Sequence, residues 1–120
     1  MDAKQTLTLA QIDEREAADL AELFKAMGDA SRVRILAALS GGERNVSEIA
    51  AQANLSESAT SHHLRGLRYM RLVRARKDGR AVYYTLDDDH VTALFALGLE
   101  HVRHGFGGVN PENLNKKAAL

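Results

Sequence analysis

Apolar residues recur at helical spacing along the first half of the chain. The first predicted helix carries an i, i+3, i+4, i+7 stripe made of Leu20, Leu23, Phe24 and Met27. Gly28 can end this helix, and Asp29 can cap a second helix that runs to Gly41-Gly42. Asn45 and Glu48 match a capping box, so a third helix is predicted to begin there. A short turn then leads to a fourth helix, from about residue 57 to residue 70.

The pattern changes to strict alternation after residue 72. Val73 and Ala75 alternate with arginines, and a second alternating run carries Val82, Tyr84 and Leu86. Asp78-Gly79, between the two runs, is a signal for a two-residue hairpin. Helical spacing returns from about residue 88 to residue 104. Two short helices joined by a tight turn and followed by a basic hairpin predict a winged helix-turn-helix, mainly α with a small β-hairpin.

Length and composition limit the number of domains and the class of protein. A chain of 120 residues that is 45% hydrophobic predicts one small domain, of a size at which dimerisation adds useful burial. We expect an N-terminal arm at 1–15, a DNA-binding and dimerisation domain at 16–104 and a flexible C-terminal tail at 105–120. With no long apolar run and no leader pattern, we expect a soluble, cytoplasmic protein without a membrane partner. The chain has no cysteine, so histidine and carboxylate are its strong metal ligands.

The net charge of zero hides a strong asymmetry along the chain. Residues 1–30 carry seven acids against three bases, whereas residues 62–80 carry seven bases against Asp78 alone. The second segment is a candidate surface for a phosphate backbone, although such a run is also typical of a solvated face. Within it, Arg76, Lys77 and Arg80 surround the predicted hairpin tip, where they could contact DNA phosphates.

The spacing of three histidines near the C-terminus predicts a metal site between two chains. His90, His101 and His104 fall on one face of the last predicted helix, with Asp88 just before it. His90 and His101 are about 16 Å apart along a helix axis at ~1.5 Å per residue, too far for one ion within one chain. In an antiparallel pair of these helices, the start of one lies beside the end of the other. One carboxylate and three imidazoles then meet at each of two sites, a set that suits Zn(II) or Co(II).

Leucines between the histidines strengthen the case for a helix pair. His90, Leu94, Leu97, His101 and His104 are spaced 4, 3, 4 and 3 residues apart, the seam of two packed helices. A second face could dock the helix on its own subunit through Val91, Leu94, Phe95, Gly98 and Val102. The alternative is a solvated helix whose histidines are incidental.

The chain resembles the ArsR/SmtB family of metal-responsive repressors. The matching segments are residues 24–29, 32–36, 46–50 and 55–64, followed by Leu72-Val73 and Gly79-Arg80. The resemblance covers roughly residues 16–105. It implies a homodimer that binds double-stranded operator DNA, and it implies base contacts by Ser58, Ser61 and His62. His63 is a further candidate contact, and Arg65 is a candidate for phosphate.

The resemblance also bears on the metal. Asp88, His90, His101 and His104 match, one for one, the interfacial ligands of the family's zinc and cobalt sensors. The family's other site needs a Cys-x-Cys in the third helix, which reads Val46-Ser47-Glu48-Ile49-Ala50 here, so that site is absent. Nickel-sensing relatives recruit extra histidines from a terminus, and neither terminus of this chain has one. The implied ligand is therefore tetrahedral Zn(II), with Co(II) as an alternative.

These observations predict a repressor that binds its operator as a metal-free homodimer and is released by Zn(II) at two intersubunit sites. The alternative is a repressor of the same family that answers a non-metal signal or another metal such as Ni(II). A small metallohydrolase with the same ligands is a rival from another class. However, the chain has no His-Glu-x-x-His, nucleophile elbow or Gly-rich phosphate loop. We therefore expect no enzyme activity and no small-molecule substrate.

Overall fold

The computed structural model describes residues 11–105, which form five helices and one three-stranded antiparallel sheet. In chain order the elements are α1 (Glu14–Met27), α2 (Ala30–Ser40), β1 (Arg44–Asn45), α3 (Val46–Ala53), α4 (Glu57–Tyr69), β2 (Val73–Asp78), β3 (Ala81–Leu86) and α5 (Asp89–Gly105). The last two residues of the predicted arm at 1–15 are the first two of α1. The first ten residues of that arm, and residues 106–120 of the predicted tail, lie outside the described residues.

Short polar side chains fix where the helices begin. Asp29 caps α2, because its carboxylate accepts the backbone N–H of Arg32 at 3.0 Å. Asn45 and Glu48 form the predicted capping box of α3, with reciprocal bonds of 2.9 Å between each side chain and the other's backbone N–H. Both predicted starts are confirmed. Such caps satisfy backbone donors that a helix leaves without a partner at its first turn.

The turn between α3 and α4 sets the angle of the helix-turn-helix. Asn54 ends α3 in the left-handed region, with φ of 56°, a conformation that asparagine tolerates better than most residues. The next backbone N–H, of Leu55, donates to the Ala50 carbonyl at 3.0 Å. Ser56 then caps α4 by accepting the Ala59 N–H. Three residues, 54–56, therefore connect the two helices, and each end of the turn is fixed by a hydrogen bond.

The sheet differs from the sequence prediction in two respects. Asp78 pairs with Ala81, so the hairpin turn is Gly79-Arg80 and the predicted Asp78-Gly79 turn is wrong by one residue. Gly79 at the first turn position has φ of 64°, as a type II′ hairpin turn requires. In addition, β1 pairs with β3, giving the strand order β1-β3-β2. A strand of two residues is too short to show alternation, so the sequence did not reveal it.

The core lies between α2, α3, α4 and the sheet. Its largest fully buried side chains belong to Ile35, Leu36, Ile49, Leu64, Leu67, Leu72 and Val73. By contrast, the only buried residue of α1 is Ala26, and the only one of α5 is Val91. These two helices line an open apolar groove of about 430 Å³. No helix within residues 11–105 has the length and apolar character needed to cross a membrane.

Candidate nucleic-acid interface and metal half-sites

One face of α4 is solvated, and the opposite face is locked into the core. Ser58, Ser61, His62 and Arg65 are exposed and recur at spacings of three or four residues, so they share a face. Leu64 and Leu67 are fully buried on the other side. The packing of these leucines fixes how the helix is rotated. Four of the five predicted DNA contacts on α4 therefore lie on one polar, outward surface.

His63 is turned toward its own chain. Its ring is half-buried, and its Nδ1 accepts a hydrogen bond from Nε of Arg32 at 3.3 Å. The same guanidinium donates to the Ala26 carbonyl at 3.3 Å. It lies so close to α4 that a Cβ at Gly66 would be 2.9 Å from it. Arg32 thus joins α1, α2 and α4, and this contact weighs against the predicted DNA contact by His63.

The hairpin carries its basic side chains on the surface. Lys77 and Arg80 are exposed at or beside the turn. Arg76 is exposed as well, but its guanidinium makes a bidentate ion pair with Glu43, at 2.7 Å and 2.9 Å. It also lies 5.1 Å from the ring centroid of Tyr83, its cross-strand partner. The Glu43 partner was not predicted, because the two residues are 33 positions apart.

Asp88 is the N-terminal cap of α5. Its Oδ1 accepts the backbone N–H groups of His90 at 2.8 Å and Val91 at 3.1 Å. The Val91 hydrogen bond is the main reason that the pKa of Asp88 lies below its ordinary value. Nδ1 of His90 is 3.5 Å from the same oxygen. The structure therefore brings Asp88 and His90 together as an ionised carboxylate beside an exposed imidazole, donors that suit a divalent metal ion.

The other two predicted ligands lie at the far end of α5. His101 and His104 are exposed and three residues apart, so their side chains lie on the same face of the helix. His101 is eleven positions after His90, so about 16 Å of helix separates the two pairs. Accordingly, in residues 11–105 of one chain no three metal-ligating side chains come together. Each end of α5 therefore carries two of the four predicted donors, and we call each pair a candidate half-site.

The seam between the half-sites is largely exposed. Leu97 is 64% exposed, and Leu94 is half-buried at the groove beside α1. The predicted docking face holds for its first part, because Val91 is buried and Phe95 is half-buried against the core. Gly98 and Val102 line the open groove beside α1, where Val102 is 50% exposed in a single chain. Apolar surface thus continues from the groove onto the histidine-bearing face.

Comparison with known proteins gives a consistent set of relatives. The family model described as "Bacterial regulatory protein, arsR family" matches residues 29–75, from the cap of α2 into β2. The chain is 46% identical over 88 residues to the transcriptional repressor SmtB homolog of Synechocystis sp., covering 73% of this chain and 67% of the relative. It is 42% identical over 86 residues to the cadmium resistance transcriptional regulatory protein CadC homolog of Staphylococcus aureus, covering 71% of each.

A solved structure extends the likeness to the fold. The homodimeric winged helix-turn-helix DNA-binding domain Mb0332 from Mycobacterium bovis superposes with a TM-score of 0.68. The two are 33% identical, and the match covers 83% of this chain and 99% of that chain. At this identity and coverage the likeness supports a shared overall fold. The predicted winged helix-turn-helix is confirmed.

Proposed function

The chain belongs to the ArsR/SmtB family of metal-responsive transcriptional repressors, and we propose that it is a homodimeric repressor released from its operator by Zn(II) at two intersubunit sites. Family membership makes it a DNA-binding regulator and not an enzyme. A homodimer is supported by the related domain described as homodimeric. The proposed activity lies in the cytoplasm, where bacterial operator DNA is found.

One observation carries the metal part of the proposal. The four candidate donors divide into Asp88 with His90 at one end of α5 and His101 with His104 at the other, with exposed Leu97 between them. An antiparallel copy of the helix would bring complementary pairs together and cover the leucine in the same contact. The donor set has nitrogen and oxygen atoms and no sulfur, which favours Zn(II) or Co(II) over softer metals.

The DNA part of the proposal uses the outward face of α4 and the hairpin. Ser58, Ser61 and His62 would read base edges in the major groove, and Arg65 would contact phosphate. Lys77 and Arg80, with Arg76, would contact the backbone beside the groove. We assign His63 to the structural contact with Arg32.

Coupling between the two sites would pass through α5. A histidine that binds a metal through one ring nitrogen carries N–H on the other, which can donate to a carbonyl or carboxylate. A carbonyl near the end of α4, around Arg71, is our candidate partner. Because the coupling is reciprocal, operator DNA must weaken metal binding by the same factor by which metal weakens DNA binding.

The test is operator affinity with and without Zn(II) at one fixed salt concentration. The probe is a duplex selected from a random pool by the metal-free protein. Zn(II) should weaken binding by about 5- to 150-fold, the usual range of allosteric coupling. His104→Ala should bind the same duplex as wild type without metal and lose the response. Glu100→Gln, an exposed change on the same helix, is the control that should keep it.

Two results would contradict the proposal. Equal affinity with and without Zn(II), together with no tight binding of Co(II), Ni(II) or Cd(II), would favour a non-metal signal. A six-coordinate Co(II) spectrum, or a full response from His104→Ala, would show that the ligand set is wrong. A four-coordinate Co(II) spectrum without a thiolate charge-transfer band is the expected result, since the chain has no cysteine.

A further inference from the structure

The outer face of the small sheet carries an ion pair that joins the loop after α2 to the hairpin. Oε1 of Glu43 accepts from Nη2 of Arg76 at 2.7 Å, and Oε2 accepts from Nε at 2.9 Å. Nη1 of Arg76 is 3.8 Å from Asp78, a much weaker contact. The edge of the guanidinium formed by Nε and Nη2 is therefore fully engaged by one carboxylate.

The strand register explains how residues so distant in sequence meet. Tyr83 on the central strand β3 pairs with Asn45 on one side and with Arg76 on the other. Directly opposed residues share a face of a sheet, and so do alternate residues along a strand. Glu43 lies just before β1, and its contacts with Arg76 place its carboxylate on the face that carries Arg76 and the Tyr83 ring. Cζ of Arg76 lies over the Tyr83 ring, 5.1 Å from its centroid. The Glu43 carboxylate contacts the same guanidinium from the β1 side of the sheet.

This geometry is the one that arginine uses for phosphate. Carboxylates and phosphates both accept two parallel N–H···O bonds from a guanidinium edge. Arg76 is one of the three basic side chains that the proposed function assigns to the DNA backbone. An edge that is already bonded to Glu43 cannot form the same pair of bonds with a phosphate. The two anions therefore compete for one site.

We propose that Glu43 is an intramolecular competitor for the DNA phosphate that Arg76 would contact, and that it limits how tightly the hairpin binds DNA. This inference rests on the proposed role of the hairpin in DNA binding. The carboxylate fills the phosphate position in the free protein, and DNA must displace it or bind without this contact. Glu43 thereby lowers affinity for DNA of any sequence, which increases the share of binding that depends on base contacts by α4.

The exposure of the pair makes such an exchange feasible. The side chains of Arg76 and Glu43 are 54% and 36% exposed. Ion pairs at this exposure contribute little to folding, because water and salt screen them. A phosphate can therefore replace the carboxylate without disturbing the core. For the same reason, neutralising Glu43 should leave the protein folded.

The experiment measures DNA affinity of metal-free Glu43→Gln across a salt series, on a random-sequence duplex and on the selected operator. Both affinities should rise by about fivefold per contacting hairpin at 0.15 M salt, as one added phosphate contact predicts. The log–log slope against salt should steepen by about 0.9 per hairpin. In an Arg76→Ala background, Glu43→Gln should change neither quantity. Asp19→Asn removes the same charge from an exposed carboxylate on α1 and should leave the slope unchanged.

The outcomes separate this inference from the proposed function. Weaker or unchanged binding by Glu43→Gln, with Arg76→Ala still weakening binding, overturns the competition alone and makes Glu43 a residue that positions the hairpin. If Arg76→Ala, introduced into the Glu43→Gln protein, alters neither affinity nor slope, the assigned phosphate contact fails, and the competition fails with it. Thermal unfolding of each variant confirms that the compared proteins are folded.

Discussion

The helix-turn-helix and the α1–α5 surface differ in how far one chain completes them. Leu64 and Leu67 of α4 are at most 1% exposed, so the polar face of that helix is supported by a finished core. On the other surface Phe24 is 53% exposed, Leu97 is 64% exposed and Val102 is 50% exposed. The helix-turn-helix therefore has a finished core in one chain. The α1–α5 surface, with its exposed apolar side chains, resembles one half of a hydrophobic core.

This difference suits the two regions to different functions, DNA contact for α4 and a site shared by two subunits for α5. A surface that contacts DNA needs polar groups held in place, and α4 achieves this within one chain. A metal site that reports on the arrangement of two subunits must be incomplete in one of them. The predicted ligand pairs, Asp88 with His90 and His101 with His104, lie at opposite ends of α5, as such a site would require. In the proposed dimer, burial of the apolar area between these pairs would drive the pairing of the two helices.

The largest expected effect tests whether the metal site needs two chains. It is the recovery of metal binding when two chains, each lacking part of the donor set, are combined. A His90→Ala chain and a chain with His101→Ala and His104→Ala each lack half of the donors, so neither alone should bind Zn(II) tightly. Mixed after unfolding and refolding together, they should form heterodimers with one intact site each. Metal titration of the mixture measures this recovery. No recovery, while wild type binds two ions per dimer, would falsify the intersubunit site.

A smaller but clear contrast is expected between two leucines. Leu67→Ala removes a fully buried side chain and should lower the free energy of unfolding by about 2–5 kcal/mol. Leu97→Ala should affect pairing instead, raising the dimer dissociation constant by at least about tenfold, since burying one leucine is worth about 2 kcal/mol. Urea unfolding and sedimentation equilibrium measure the two quantities. An unchanged dimer in Leu97→Ala would mean that the seam is not buried by pairing.

The smallest effect concerns the ion pair on the hairpin face. Its hydrogen bond from Arg76 lowers the pKa of Glu43 below the ordinary value of 4.5. A lowered folded-state pKa gives a stabilisation that is present above pH 4.5 and is lost as pH falls through the lower value. The melting temperature of wild type should therefore exceed that of Glu43→Gln slightly at pH 7, and the difference should vanish in acid. A large difference at pH 7 would mean that surface charge supports this region as much as its core does.

Local patterns in the sequence predicted most of the fold. Asp29 and Asn45 predicted two helix starts correctly, because a cap residue bonds to a backbone N–H only three residues further along the chain. The helical spacing of α5 likewise placed its histidines and leucines on predictable faces, since helix geometry is regular. The hairpin was found but shifted by one residue, because both Asp78-Gly79 and Gly79-Arg80 satisfy the glycine requirement of a tight turn.

What only the tertiary structure decided involves partners that are distant in sequence. The direction of His63 depends on Arg32, and the availability of Arg76 depends on Glu43; neither partner leaves a periodic signal in the chain. The two-residue β1 forms because its backbone pairs with the edge of β3. The sequence by itself determined which residues belong to helices, to the hairpin and to the candidate ligand set, because those follow from short-range geometry. Which basic and imidazole side chains face outward was decided by long-range packing and charge pairing.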